Sequence, residues 1–268
     1  MTPAKTVLTV HDLSCVGRCA LTVAIPALAS SGLQPIPLPT AVLSTHTGGF
    51  TGMACRKLTD FMAETDKHWQ ALELHVDAIY TGYLADPAQG ELLIRMIERA
   101  KGEKDVFVLV DPAMGDEGEL YQGIDPAMPD VMREMCRLAD LATPNLTEAF
   151  LLCGKTPRRS LESVEEAQGL FAGIGAKQCV ITGAHVGGQA MNLWKDGCVA
   201  YDPCEGFYPG AGDLFSSVLL GRVMRGESLP QAVAFTSEYL SCVVRDTWKM
   251  GTETRMGLQF EQKLHLLA

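Results

Sequence analysis

Short apolar runs alternate with longer amphipathic stretches along the whole chain, and this alternation constrains the fold more than any other feature of the sequence. The apolar runs at 6–10, 34–38, 78–81, 106–110, 138–142 and 179–182 have the length and composition of strands. Two more, at 190–194 and 199–201, flank the turn signal Lys195-Asp196-Gly197. Between the runs the spacing predicts helices over 20–30, 88–101, 131–137, 147–152 and 163–171. Gly32, Gly102 and Gly154 close three of them, and Ser163 stands at an N-cap with Glu166 three residues on. Strands apolar on both faces and separated by helices predict an α/β fold, a mostly parallel, doubly wound sheet with helices on both faces. Ligands of such sheets bind outside the carboxyl ends of the strands. No repeat, low-complexity tract or linker breaks the 268 residues, so a single domain over 1–268 is expected. Residues 186–204 read as a small β-hairpin flap with Gly187-Gly188 at one end, and 155–159 as a surface loop.

Hydrophobic residues make up 47% of the chain and charged ones 20%, enough for a large core and too apolar for disorder. A formal charge of −10 argues against nucleic acid and membrane surfaces, both polyanions, and leaves a small molecule as the better partner. The nine cysteines, at 15, 19, 55, 136, 153, 179, 198, 204 and 242, are odd in number with no C-x-x-C pair, so neither a disulfide framework nor a zinc site is expected. Cys15 and Cys19 have no neighbouring His or Cys to complete a metal or redox pair. The few apolar residues before His11 and Asp12 are too short for a signal peptide, and no run reaches a membrane span, which predicts a cytoplasmic protein.

The segment richest in chemistry is Pro209-Gly-Ala-Gly-Asp-Leu-Phe-Ser-Ser-Val-Leu-Leu-Gly221. Gly210 and Gly212 around the small Ala211 let backbone N–H groups converge on an anion. The apolar spacing of Leu214, Phe215, Val218, Leu219 and Val223 starts a buried helix there, so its positive end faces the same point. Asp213 falls in the first turn, placed to take a proton from an acceptor hydroxyl as a phosphoryl group arrives. Taken alone, the segment reads equally as an ordinary loop with an N-terminal helix charge. No Gly-Lys-Ser/Thr follows, as a Walker A loop requires, and the third glycine of the dinucleotide fingerprint is missing.

Gly-Ala-Gly-Asp opening a C-terminal helix resembles the signature of the ribokinase-like superfamily, and four further segments resemble its pyridoxal/pyridoxine/pyridoxamine kinase branch. These are Ser44-Thr-His-Thr47 before Gly48-Gly-Phe-Thr-Gly52, Thr81-Gly-Tyr-Leu84, Val110-Asp-Pro-Ala-Met-Gly115 and Thr143-Pro-Asn-Leu-Thr-Glu148. They stand in the family's order between about residue 7 and residue 225. The resemblance implies an ATP-dependent kinase acting on the 5′-hydroxymethyl group of B6 vitamers, with a lid that excludes water. It implies Asp213 as base, with residues 210–212 stabilising the transferred group. Asp111, Asn145 and Glu148 fall to the nucleotide and its Mg²⁺, with Asp111 and Glu148 nearest the metal, and Thr182 and Gly183 to the phosphates. A monovalent cation is left open, and a homodimer is expected. His46, Thr47 and Tyr83 match the vitamer pocket, where an imidazole and two hydroxyls can bond a pyridine nitrogen and ring hydroxyl. Phe207 or Tyr208 would border adenine. The bland readings stay beside these: Asn145 or Thr147 as a helix cap, His46 satisfied by backbone, and the two aromatics as core.

Two positions depart from the pattern. Asp12 stands where better-known members have a serine against the substrate ring, and favours a protonated pyridine nitrogen or a cationic aminomethyl group. Ala211 replaces a threonine and removes one hydroxyl donor. The nearest rival is a hydroxymethylpyrimidine kinase, a group that commonly shows Cys where this chain has Asp213. Sugar kinases of the superfamily usually carry an N-terminal lid sheet and a Gly-Gly motif not found here. A non-catalytic vitamer-binding protein is the rival from another class.

Overall fold

The computed structural model describes residues 3–202 and 206–268, so Met1, Thr2, Cys204 and the end of the 186–204 hairpin lie outside the described residues. In chain order the elements are β1 (Thr6–Ser14), α1 (Leu21–Ser30), β2 (Gln34–Leu43), β3 (Cys55–Lys57), α2 (Thr59–Ala71), β4 (Ala78–Thr81), α3 (Pro87–Glu103) and β5 (Phe107–Val110). There follow β6 (Gly115–Asp116), β7 (Glu119–Leu120), α4 (Met128–Leu138), β8 (Leu141–Ala142), α5 (Leu146–Leu152) and α6 (Val164–Ile174). After these come β9 (Gln178–Val186), β10 (Gln189–Trp194), β11 (Gly197–Ala200), α7 (Ala211–Met224) and α8 (Leu229–Met250), followed by short 3-10 turns at Thr254–Met256 and Glu261–Leu267.

Nine strands form one sheet in the order β11-β10-β9-β8-β5-β4-β1-β2-β3, and β6 pairs only with β7. The six strands from β2 to β9 run parallel; β3, β10 and β11 join antiparallel at the two edges. Alternation along the strands divides the core as a period of two requires. Ile79, Val108 and Val110 pack with Leu93, Met132 and Phe150 of α3, α4 and α5. Ala78, Tyr80 and Leu109 pack on the other face with Leu28, Phe215 and Val233 of α1, α7 and α8.

The predicted architecture is therefore present, with differences in extent. β1 runs on to Ser14, with a register irregularity between His11 and Leu13 that carries the strand end into the ligand region. Leu138 ends α4 rather than starting β8, and Gly197 opens β11 rather than closing its turn. Ser163 occupies the N-cap of α6, but its side chain makes no cap hydrogen bond. β2 carries Pro35, Pro37 and Pro39 at alternate positions, tolerable because β3 covers that edge only from Ala41 to Leu43. β3, α2, the β6–β7 hairpin and α8 appear without a prediction. No helix of the described residues is long and apolar enough to cross a membrane.

The strand order turns at β1, with β2 and β3 on one side and β4 onward on the other. The carboxyl ends of β1, β4, β5, β8 and β9 face the crevice that this reversal opens.

Candidate active site

A cavity of 1020 Å³ lies over those strand ends, and every residue nominated from the sequence lines it. β1 contributes Asp12, the segment after β2 His46 and Thr47, the turn after β4 Tyr83, and the end of β5 Asp111. Asn145 and Glu148 start α5, Thr182 and Gly183 lie in β9, and residues 210–213 open α7.

Gly210 is the N-cap of α7 at φ +83°, and a Cβ there would fall 2.1 Å from the Arg18 carbonyl oxygen, so only glycine fits. The Ala211 N–H donates to the Tyr208 carbonyl at 3.3 Å. The Gly210, Gly212 and Asp213 N–H groups meet no acceptor among the described residues, so of residues 210–212 only Ala211 has its N–H already engaged. One Asp213 oxygen, Oδ2, accepts the Ala20 N–H at 2.7 Å, and Asp213's own carbonyl accepts the Ser217 hydroxyl at 2.6 Å. Ala20 holds that N–H in place at φ +53°, ψ −130°, a strained conformation for a residue with a Cβ.

Asp111 and Glu148 form the second part. Asp111 is buried and its Oδ2 accepts the Ser216 hydroxyl at 3.0 Å, which in turn lies 2.8 Å from Thr143 Oγ1. Asn145 and Glu148 make a reciprocal capping box at α5. The Glu148 N–H donates to Asn145 Oδ1 and the Asn145 N–H to Glu148 Oε2, each at 2.9 Å. Glu148 Oε1 accepts the Met114 N–H at 3.0 Å, and Asn145 Nδ2 donates to the Gly115 carbonyl at 2.7 Å. Burial, then the charge of Asp213, pushes Asp111 up to about 8; burial, then Asp111, pushes Glu148 well above its ordinary range. Neither has a Lys or Arg ion-pair partner among the described residues. Two uncompensated buried carboxylates with oxygen neighbours fit a hard divalent cation. No cluster of three metal-ligating side chains occurs among the described residues, so such an ion would complete its shell with water and phosphate oxygens, as Mg²⁺ does.

Thr182 and Gly183 lie beside this pair, but their N–H groups are already engaged. Thr182 donates to the Pro144 carbonyl at 2.8 Å and Gly183 to Asn192 Oδ1 at 3.0 Å. The Thr182 hydroxyl makes only a long contact, 3.4 Å, with the Pro144 carbonyl.

At the other end, Asp12 is buried, accepts the Ser14 hydroxyl at 2.8 Å, and is pushed up to about 7 by burial and, less, by Asp213. Tyr83 is pushed up to about 12 by burial and then by Asp12, so it stays a phenol able to donate. Thr47 is exposed at the rim. His46 differs from the expectation. Its Nδ1 accepts the Gly48 N–H at 3.1 Å and its Nε2 therefore donates to the Arg255 carbonyl at 2.8 Å. Both ring nitrogens are taken, and burial lowers its pKa, so a neutral His46 fastens the 44–52 segment to the C-terminal segment and offers no polar atom to a ligand. Phe207 is exposed and Tyr208 buried, both on the cavity wall.

Three residues that contact Asp213 or Asp111 escaped the sequence reading: Ala20 and His11 beside Asp213, and Ser216 bonded to Asp111. Ser216 had a signal, a serine pair inside the apolar run of α7. Ala20 and His11 had none; His11 is fully buried with Nδ1 3.7 Å from Asp213 Oδ1.

The sequence profile of the phosphomethylpyrimidine kinase family matches residues 24–257. A pyridoxine/pyridoxal/pyridoxamine kinase of Bordetella avium is 31% identical over 253 residues, covering 87% of this chain and 82% of that one. A Bacteroides thetaiotaomicron protein provisionally assigned as a phosphomethylpyrimidine kinase, crystallised with pyridoxal, superposes with a TM-score of 0.91 at 36% identity, covering 98% of this chain and 96% of that one. Pyridoxal kinase of Lactobacillus plantarum gives a TM-score of 0.90 at 29% identity, with the same coverage of 98% and 96%. Profile, relatives and fold agree: this chain belongs to the phosphomethylpyrimidine kinase family, ribokinase-like phosphotransferases among which the pyridoxal kinases stand.

Proposed function

We propose that this kinase transfers the γ-phosphoryl group of ATP to the 5′-hydroxymethyl group of a B6 vitamer (pyridoxal, pyridoxine or pyridoxamine), acting as one domain over residues 1–268. The observation that carries the reading is Asp213, an intact carboxylate beside the free N–H groups at the start of α7, in the same cavity as Asp111 and Glu148. Asp213 takes the proton of the acceptor hydroxyl while the Gly212 and Asp213 N–H groups stabilise charge on the moving phosphoryl group. Asp111 and Glu148, the latter fixed by its capping box with Asn145, would hold Mg²⁺. That ion, when bound, neutralises phosphate charge and orients the nucleotide. Asp12 and Tyr83 offer a carboxylate and a phenol to the vitamer ring.

A hydroxymethylpyrimidine acceptor is the second reading, favoured by the family profile itself. Transfer from Mg·ATP to the three vitamers and to hydroxymethylpyrimidine, with Asp213→Ala in parallel, decides between them. Phosphorylation of a vitamer, lowered about 10²–10⁴-fold by Asp213→Ala, is expected. Turnover of hydroxymethylpyrimidine alone replaces the substrate and keeps the base, and turnover of neither ends the kinase proposal.

A further inference from the structure

His11 has no part in the steps above, yet its placement is unusual. It follows Val10 on β1, is completely buried, and neither ring nitrogen finds a hydrogen-bond partner. Buried polar atoms are nearly always paired, so an orphaned imidazole calls for a reason. The ring is held firmly: Tyr80 meets it edge-on with centroids 4.8 Å apart, and a Cβ on residue 82 would lie 1.6 Å from His11 Cε1, so Gly82 keeps the space open. That slot sets Nδ1 3.7 Å from Asp213 Oδ1, while Asp213 Oδ2 is already bound by the Ala20 N–H.

We propose that His11 is a positioning residue of the transfer step, its Nδ1–H closing on Asp213 Oδ1 so that the carboxylate is gripped at both oxygens and keeps a lone pair turned to the acceptor hydroxyl. The inference rests on Asp213 being the base. A shift of under about 1 Å brings 3.7 Å to hydrogen-bond distance, and catalytic contacts are commonly long before substrate binds. The chemistry suits a neutral donor. A cation beside Asp213 would weaken it as a base, whereas a neutral N–H fixes its direction and leaves its charge. Burial lowers the pKa of His11, opposed by the smaller pull of Asp213, and so favours that neutral form.

The test uses two substitutions and two readouts on the full chain. His11→Leu removes the donor; His11→Asn places an amide N–H near the position of Nδ1. With Mg·ATP and the preferred vitamer, His11→Leu is expected to lower kcat about 10²-fold with both KM values within about twofold, as misplacement of a base does. His11→Asn should recover most of that loss. A His11→Leu variant that keeps wild-type kcat, or an Asn variant no better than Leu although folded, overturns the proposal. The second readout needs no turnover. In protein carrying ¹⁵N-labelled histidine, the His11 ring signals, identified by their loss in His11→Asn, should show the proton on Nδ1 and shift when Asp213 becomes Asn. Signals indifferent to Asp213→Asn, or a proton on Nε2, overturn it even where His11→Leu fails to fold. Coupled signals in a protein that phosphorylates no acceptor would remove Asp213 as base, and the positioning role with it, while leaving the contact itself established.

Discussion

Asp12 is a carboxyl group that its surroundings keep from ionising, and the consequence can be read in stability. Burial, and behind it Asp213, raises it from 3.8 to about 7. Between about pH 4 and pH 7 the folded chain thus holds a proton that the unfolded chain has released, so this residue makes stability fall as pH rises through that window and adds no slope above it. Asp12→Asn should reduce the slope and raise stability above pH 7 by up to about 4 kcal/mol, the equivalent of about 3 pH units. Urea unfolding at pH 4.5, 6 and 7.5 checks this, and parallel pH dependences in the two proteins would refute it. If Asp12 faces the vitamer as proposed above, its raised pKa leaves it poised near neutral pH to ionise against a cationic group. Asp12→Ser should lower kcat/KM for pyridoxamine relative to pyridoxal, and unchanged ratios across the three vitamers would remove it as a selector. Ala20 offers a third single-residue test. Its backbone strain is worth about 1–3 kcal/mol, while a glycine loses about 0.4–1 kcal/mol through the freedom of the unfolded chain. Relief exceeds loss, so Ala20→Gly should raise the midpoint of thermal unfolding.

At the scale of elements, the start of α7 depends on one backbone conformation. Gly210→Ala forces φ +83° on a residue with a Cβ and drives that Cβ into the Arg18 carbonyl, so the first turn must shift. Transfer should fall at least about 10²-fold for a displacement of this kind, with unfolding by denaturant showing a loss of more than about 1 kcal/mol. A variant with normal kcat and normal stability would deny the turn its role. This turn was legible in the sequence because its information is local: two glycines, an acid and the apolar period sit within one helix. The cap at Asn145 was legible for the same reason, and the capping box fixes the side chain of Glu148, the residue proposed above for the metal. α8 was not legible, because buried Thr236, Ser237 and Thr247 interrupt the apolar stripe on which helix reading depends. α2 buries only Met62 and Asp66 and so lacks a stripe to read. β6 and β7, of two residues each, are below the length at which alternation carries a signal. His46 illustrates the other limit. Its motif marked a loop that lines the cavity, but its partner Arg255 is 209 residues away, and no local pattern tells that a ring will be satisfied from there.

The molecule as a whole carries a formal charge of −10, and its fold gathers Asp12, Asp111, Glu148 and Asp213 around one cavity at the ends of five strands. Such a concentration opposes folding unless protons or a cation relieve it, which is why Asp111 is displaced upward by burial and by Asp213 together. The sheet pins Asp12 and Asp111 at its strand ends, and the starts of α5 and α7 hold Glu148 and Asp213 through the Met114, Asn145 and Ala20 N–H groups, so the carboxylates cannot easily move apart; the repulsion is stored in the architecture and becomes available to a ligand of opposite charge. Mg²⁺ should therefore raise the thermal midpoint of the whole chain beyond what NaCl achieves at equal ionic strength. At a hundredfold excess over its dissociation constant the gain is about 2.7 kcal/mol. Asp111→Asn separates this effect from general screening, because it removes at once a buried carboxyl group that must take up a proton or a cation and one of the proposed ligands. The variant should be more stable than the wild type without Mg²⁺ and should respond to Mg²⁺ less. A variant that is no more stable in the absence of metal would mean that the carboxylates are relieved in some other way, and an undiminished Mg²⁺ response would place the cation elsewhere than on Asp111.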